Sequence, residues 1–321
     1  MHRPTFSTLL VTAVLWASAG QATVPEVITD IPVVHSLTSM VMGELGTPGL
    51  LLEQGADAHN FQLRPSQVSA LQGAGLVIWM GAEMTPWLDR ALKAGSAKDA
   101  LALLHTKGTV IRSYEDAEEA HQTDAQDGSE QPAHALPVQH HTDTHDHGEI
   151  DPHAWLNPEN AGLWLGLISD ALSQVDPGNS VTYRANASLA LIRIQTASKA
   201  IQDRVAAHAG QPIVVAHDAY GYFADYFNLT VAASLAEGDA SAPGAAHLSE
   251  VRALLEGGQV RCIFPEAGRD PTPVLSLSDG TGVRIGRNLD PEGQQLPAGP
   301  DLYPSLMTHM GAAIADCLED G

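Results

Sequence analysis

Ile213-Val214-Val215-Ala216-His217-Asp218-Ala219-Tyr220 is an apolar run that ends in a histidine and passes directly into a helix-prone segment, 219–227. A continuous run of β-branched residues, with no polar alternation, reads as a strand buried on both faces, the kind found in parallel sheets covered by helices. Working outward, the same unit recurs. Upstream, Glu26-Val27-Ile28-Thr29, Leu50-Leu51-Leu52, Leu76-Val77-Ile78-Trp79-Met80 and Thr109-Val110-Ile111 read as strands. They are separated by helical stretches at 36–45, from Pro65, and at 87–92. Downstream, Val231–Ser234, Cys262-Ile263-Phe264 and Val283-Arg284-Ile285 read as strands, with helices at 248–255 and 303–317. Between the two series a helix at 163–174 is followed by Asp176-Pro177-Gly178 and then a long stretch, 181–208, with few helix breakers. The expected fold is therefore α/β: two lobes, each a mostly parallel sheet flanked by helices, joined by one long rigid helix. The expected division is 23–178 for the first lobe, 179–208 for the linker helix and 209–321 for the second lobe.

Composition narrows the function. The 321 residues carry 38 Asp and Glu against 16 Lys and Arg, a formal charge of −22. That argues against nucleic acid and anionic membrane surfaces as partners, since both reward clustered positive charge. Residues 1–22 read as an export signal: His2 and Arg3, a mostly apolar stretch from Phe6 to Trp16, then small residues with cleavage expected near Ala22. The mature chain is expected to be an exported, periplasmic protein and a monomer. In an oxidising compartment its two cysteines, Cys262 and Cys317, are expected to form a disulfide.

The 15 histidines are almost as numerous as all Lys and Arg together, and histidine is the commonest protein ligand for transition metals. They fall into two groups. His121, His134, His140, His141, His145 and His147 lie in the polar, acid-rich stretch 114–150, which has no core-forming segment and is expected to be disordered without metal and to collect zinc weakly. His59, His153 and His217 lie elsewhere: after the second strand, just after the polar stretch, and at the end of the strand quoted first. Ligands of open α/β sheets bind beyond the carboxyl ends of the strands. Two of these histidines come from the first lobe and one from the second, so a metal held by all three would couple the lobes. Asp290 follows the strand at 283–285 and is the candidate fourth ligand, with Glu292 as a substitute. Three imidazoles and a carboxylate suit Zn²⁺. Metal binding requires neutral imidazoles, so affinity is expected to fall as pH drops through roughly 6–6.5. Trp79, Trp87, Trp155 and Trp164 read as core, and His35 as packed or capping.

At this point the chain resembles a family. The segments Gly55…His59…Leu63-Arg64-Pro65-Ser66, Asp151-Pro152-His153-Ala154-Trp155-Leu156, His217-Asp218-Ala219-Tyr220-Gly221-Tyr222-Phe223, Ile263-Phe264-Pro265-Glu266 and Leu289-Asp290-Pro291 are similar to those of the zinc-specific periplasmic solute-binding proteins of bacterial ABC importers, the ZnuA and AztC type of metal-receptor cluster A-I. The resemblance implies two α/β lobes on a long rigid helix with metal at their interface, small lobe movement, and ligand roles for His59, His153 and His217. A histidine rather than a glutamate at 217 favours zinc over manganese. The fourth ligand varies in such proteins, with Asp, Glu or water in that place. The His- and acid-rich stretch and the cysteine pair fit the same subgroup. The implied function is capture of Zn²⁺ and delivery to an inner-membrane ABC permease, with a periplasmic zinc metallochaperone as a possible further partner.

Two rivals share these features. A zinc hydrolase also uses three histidines and a water. His145-Asp146-His147 begins like a metallo-β-lactamase motif, but Glu149 and Ile150 stand where that motif needs Asp and His, and there is no His-Glu-x-x-His. A periplasmic zinc buffer or adhesin would keep the fold and the site and differ only in partners.

Overall fold

The computed structural model describes residues 24–114, 150–236 and 244–319. The expected export signal, residues 1–22, and the six histidines from His121 to His147 lie outside them. The first series runs β1 (Val27–Thr29), α1 (Pro32–Met42), β2 (Gly49–Leu50), α2 (Pro65–Gly73), β3 (Leu76–Trp79), α3 (Pro86–Lys93) and β4 (Ala100–Ala102). Its strands form one parallel sheet in the order β2-β1-β3-β4. Helices α4 (Pro158–Val175) and α5 (Ser180–Val205) follow. The second series runs β5 (Pro212–His217), α6 (Gly221–Phe227), β6 (Thr230–Ala236), α7 (Ala245–Glu256), β7 (Cys262–Phe264), α8 (Thr272–Ser278) and β8 (Arg284–Ile285), with the parallel order β6-β5-β7-β8. A last helix, α9 (Leu302–Glu319), returns along α5 and α1. The expected two-lobed α/β architecture is what the chain adopts.

Local chemistry accounts for the helix starts. Helices α1, α2, α3 and α4 each carry proline in their first turn, where the missing N–H has no intrahelical acceptor to lose. Asn157 caps α4 by accepting from the Glu159 N–H at 2.8 Å. Helix α5 spans 26 residues, about 39 Å at the α-helical rise. Its buried positions are Tyr183, Ala187, Ala190, Ile194, Ser198, Ile201 and Val205, a three-four spacing that lines one face. That face lies on α4, α9 and α1. Gly311 in α9 lets the crossing close up: a methyl there would sit 2.6 Å from Ile201 Cγ2.

One apolar cluster runs from β1 and β3 through α4 and α5 to Tyr222, Phe223, Cys262 and α9. A smaller one, with Val214, Leu235, Val251 and Ile263, fills the far face of the second sheet. The lobes are therefore cemented by core-like packing, which leaves little room for hinge motion. Trp79, Trp87, Trp155 and Trp164 are all buried, as expected. His35 is buried too, with Nε2 3.1 Å from the Pro48 carbonyl.

Two elements differ from expectation. The fourth strand is Ala100–Ala102, paired to β3 through Val77↔Ala100 and Trp79↔Ala102, and not Thr109–Ile111. Val110 and Ile111 are 46% and 43% exposed, and the Val110 N–H and carbonyl both bond to the Asn160 side chain. The run Ala100–Leu104 is apolar but has no β-branched residue, the composition of a helix as much as of a strand, whereas the β-branched pair at 110–111 is held as an extended strap by one side chain. Helix α8, seven residues from Thr272, has no counterpart among the expected elements.

Asp30, at the end of β1, is fully buried. Its carboxylate accepts from the N–H groups of Ile31 and Met80 and from the Thr85 hydroxyl, tying β1 to the segment after β3. Burial pushes its carboxyl up to about 6 despite those bonds. A carboxyl raised in the folded state stabilises the fold fully below its unfolded value of 3.8, and that contribution is lost as pH rises through about 6. Relative to Asp30→Asn, the wild-type chain should gain roughly 2 kcal/mol of unfolding free energy between pH 7 and pH 4. Parallel denaturant titrations of both proteins would show a constant difference if Asp30 carried no such load.

Candidate metal centre

The three histidines named from the sequence meet at the edge where the strands of both sheets end. His59 sits in the loop after β2. Asp57 shapes that loop: its carboxylate accepts from the N–H groups of His59 and Asn60 and from the Asn60 amide. Partial burial alone would raise the Asp57 carboxyl, but these bonds hold it below the usual carboxylate range. The Trp87 indole N–H donates to the Ala58 carbonyl at 2.6 Å and anchors the loop on α3.

His153 is fully buried ahead of the 3₁₀ turn Ala154–Leu156. Asp151 Oδ1 lies 2.9 Å from both the His153 N–H and Nδ1. His217 closes β5 and is fully buried. Its Nδ1 is 2.6 Å from Glu266 Oε2, which also accepts from the Tyr220 hydroxyl at 2.7 Å. Arg269 Nε donates to Glu266 Oε1 at 2.8 Å. Burial opposes ionisation of Glu266, but His217 and Arg269 outweigh it and keep the carboxyl below its ordinary value. Burial, and then the Glu266 charge, push the Tyr220 hydroxyl well up, so it stays a donor.

The two carboxylates have one chemical consequence. A carboxylate on Nδ1 places the ring proton there and the lone pair on Nε2, which fixes both tautomer and ring orientation for metal binding. Asp151 and Glu266 were inside the quoted motifs without a role assigned to them. The signal for Asp151 is its position two residues before a histidine, and for Glu266 its place just past the end of β7. In Glu266→Gln one end of the side chain becomes a donor, so the cluster of Nδ1, Tyr220 and Arg269 can no longer be satisfied. Zinc affinity should fall roughly 10- to 100-fold, and an unchanged competition titration would deny Glu266 this part.

Ring centroids are 5.4 Å apart for His153 and His217, and 6.3 Å for His59 and His153. Imidazole nitrogens about 2.0 Å from a tetrahedral zinc put ring centroids about 5 Å apart. The first pair is already at that spacing. Among the described residues no three His, Cys, Asp or Glu side chains have closed on one point, and the wider pair places the remaining gap, about 1 Å, at His59.

Asp290 and Glu292 behave differently. Both Asp290 oxygens accept backbone N–H groups, from Gln294 and Gln295, each at 2.9 Å. Asp290 thus builds the turn that follows β8. Glu292 lies within the electrostatic reach of His153, His217 and Glu266, and burial raises its carboxyl. Trp155 Nε1 donates to the Pro291 carbonyl at 2.8 Å and fastens this turn beside His153.

The donor set is imidazole nitrogen with carboxylate oxygen and no thiolate, since both cysteines are joined as Cys262–Cys317. Comparison with known proteins decides what the set belongs to. The family model of the zinc-uptake complex component A, periplasmic (ZnuA), matches residues 27–317. The chain belongs to that family. It is 43% identical to the high-affinity zinc uptake system protein ZnuA of Paracoccus denitrificans (strain Pd 1222), over 99% of each chain. The protein of the same description from Yersinia pestis is 29% identical, over 97% of this chain and 96% of the other. Among solved structures, the laminin-binding protein Lmb of Streptococcus agalactiae, described as having adhesin and metal transporting activity, superposes with a TM-score of 0.72 at 19% identity, over 92% of this chain and 99% of that one. A Cd-bound periplasmic metal-binding protein from Candidatus Liberibacter asiaticus gives 0.71 at 18% identity, over 91% and 99%. These structural likenesses bear on the fold. The family is one of transport receptors. Among the described residues no helix is long and apolar enough to cross a membrane.

Proposed function

We propose that this chain is the receptor that captures Zn²⁺ between its lobes and delivers it to an ABC-type importer, with His59, His153 and His217 as ligands. The observation that carries the site is the convergence of imidazoles from both lobes, two of them held at Nδ1 by buried carboxylates. Zinc is the cargo these donors suit: borderline-soft, content with nitrogen and oxygen, and without a need for thiolate. Family membership supports the same ion and an importer permease as partner.

The fourth position falls to the turn 290–292. Asp290 was the expected ligand, but its oxygens serve the turn. Glu292, buried near His153 and His217 and held at Oε2 by the Gln294 amide, is the donor favoured here for that position. Four protein ligands close the shell, as a receptor needs, where a hydrolase keeps a position open for substrate. The mature chain is periplasmic after cleavage near Ala22, works as a monomer, and offers its histidines between 121 and 147 as weak collectors of zinc that a metallochaperone can fill.

The test is a chelator-competition titration of the full chain with single changes His59→Ala, His153→Ala, His217→Ala, Glu292→Gln and Asp290→Asn. Each histidine variant should lose tight zinc, and Glu292→Gln should lose more affinity than Asp290→Asn. A histidine variant that keeps tight zinc removes that residue from the site. The reverse order for the two carboxylates restores Asp290.

A further inference from the structure

The metal centre accounts for Asp151 but not for what holds Asp151. Residues 112 and 151 lie on the two arms that flank 114–149, and the arms are joined by an antiparallel bridge, Ser113↔Ile150, and by the Asp151 N–H on the Arg112 carbonyl at 3.1 Å. A single hydroxyl from the other lobe spans this junction. Tyr222 of α6, 1% exposed, accepts from the Arg112 N–H at 2.8 Å and donates to the Asp151 carbonyl at 2.9 Å. The Arg112 side chain crosses the same way: its guanidinium pairs with Asp225, one turn along α6, and lies flat over Gly221. A methyl at Gly221 would stand 2.5–2.8 Å from that guanidinium, so the missing Cβ is what lets Arg112 reach.

Two metal ligands are thereby referred to one helix. His217 precedes Tyr222 by five residues on the rigid β5–α6 connection. His153 follows Asp151 by two residues and takes its orientation from the Asp151 carboxylate. We infer that Tyr222 is a positioning residue of the zinc site: from the second lobe it holds the Arg112–Asp151 junction of the first, sets the His153–His217 pair at its coordination spacing, and so governs how fast zinc is released. The inference rests on the proposed zinc ligands. It adds a residue outside the proposed ligand set.

Release is measured on the full chain, loaded with one equivalent of Zn²⁺ and mixed with excess chromogenic chelator in a stopped-flow instrument. Tyr222→Phe keeps the ring in the core and removes both hydrogen bonds, and release should be about fivefold faster, the worth of one such bond. In a His153→Ala background the same change should have no further effect, because the residue it positions is gone. Equal acceleration in both backgrounds means general loosening and overturns the inference, as does no acceleration in the wild-type background. If His153→Ala itself leaves release unchanged, the zinc-site reading fails instead. Circular dichroism of the metal-free variants shows whether they are folded. If Tyr222→Phe is not, Asp225→Asn at an exposed position frees Arg112 and should speed release about twofold, again only while His153 is present.

Discussion

An alanine at His153 should lower zinc affinity by roughly a hundred- to a thousandfold. Zinc binding by four protein ligands is worth on the order of 10–16 kcal/mol, and one lost ligand removes roughly a quarter of it. His153 should show the full effect because nothing replaces it. The residue is wholly buried, between the Asp151 carboxylate and the Trp155 ring at 5.1 Å, so water has poor access to the vacated position. The change also leaves a buried acceptor without its donor, since Asp151 Oδ1 keeps only the backbone N–H. His59 is half-buried on a loop and farther from its neighbour, so His59→Ala should cost less. Competition against chelators of graded strength gives both values. A His153 loss no larger than the His59 loss would contradict the idea that the buried pair forms the rigid half of the site.

Opening the disulfide lowers the unfolding free energy of the metal-free chain by about 4 kcal/mol, from the chain-entropy value for a loop of 55 residues. The bond joins β7 to the end of α9. The other end of α9 rests on the first lobe, where the Tyr303 N–H donates to Ser36 Oγ and its hydroxyl to the Trp155 carbonyl. The same strand leads directly to Glu266, so the bond steadies the base of the His217 network. Denaturant unfolding of the Cys262→Ser, Cys317→Ser double variant checks the figure. Saturating zinc should recover part of the loss, because a ligand that binds only the folded chain adds stability by mass action. Coincident midpoints for the oxidised and doubly substituted chains would mean the packing of α9 alone suffices.

Much of this site was legible residue by residue. Two of the three candidate ligands, His59 and His217, stand at chain positions that the strand pattern marks as carboxyl ends, and Ile213–His217 shows it within five residues. The rest was not legible, because the partners are remote and have no periodicity. Glu266 is 49 residues from His217, and Tyr222 is 71 from Asp151. The turn role of Asp290 was hidden for another reason. Asp-Pro marks a turn as readily as it supplies a ligand, and the two backbone N–H groups that show Asp290 in the turn come to it only in the folded chain. The edge strand Ala100–Ala102 escaped notice because pairing to β3 defines it, and Ala-Leu-Ala has no β-branched or aromatic residue to mark a strand.

The sequence by itself determined the α/β class, the long joining helix, the cysteine pair and the three imidazoles. Buried parallel strands must be continuously apolar, helices need uninterrupted propensity, and a metal needs particular donor atoms. These are properties of residue type and order. Tertiary structure alone decided which carboxylate holds Nδ1 of His153 and which that of His217, and that a tyrosine of the second lobe holds the arms of the first. Those choices depend on distances of 2.6–2.9 Å between groups that meet only after two sheets have packed across a shared core.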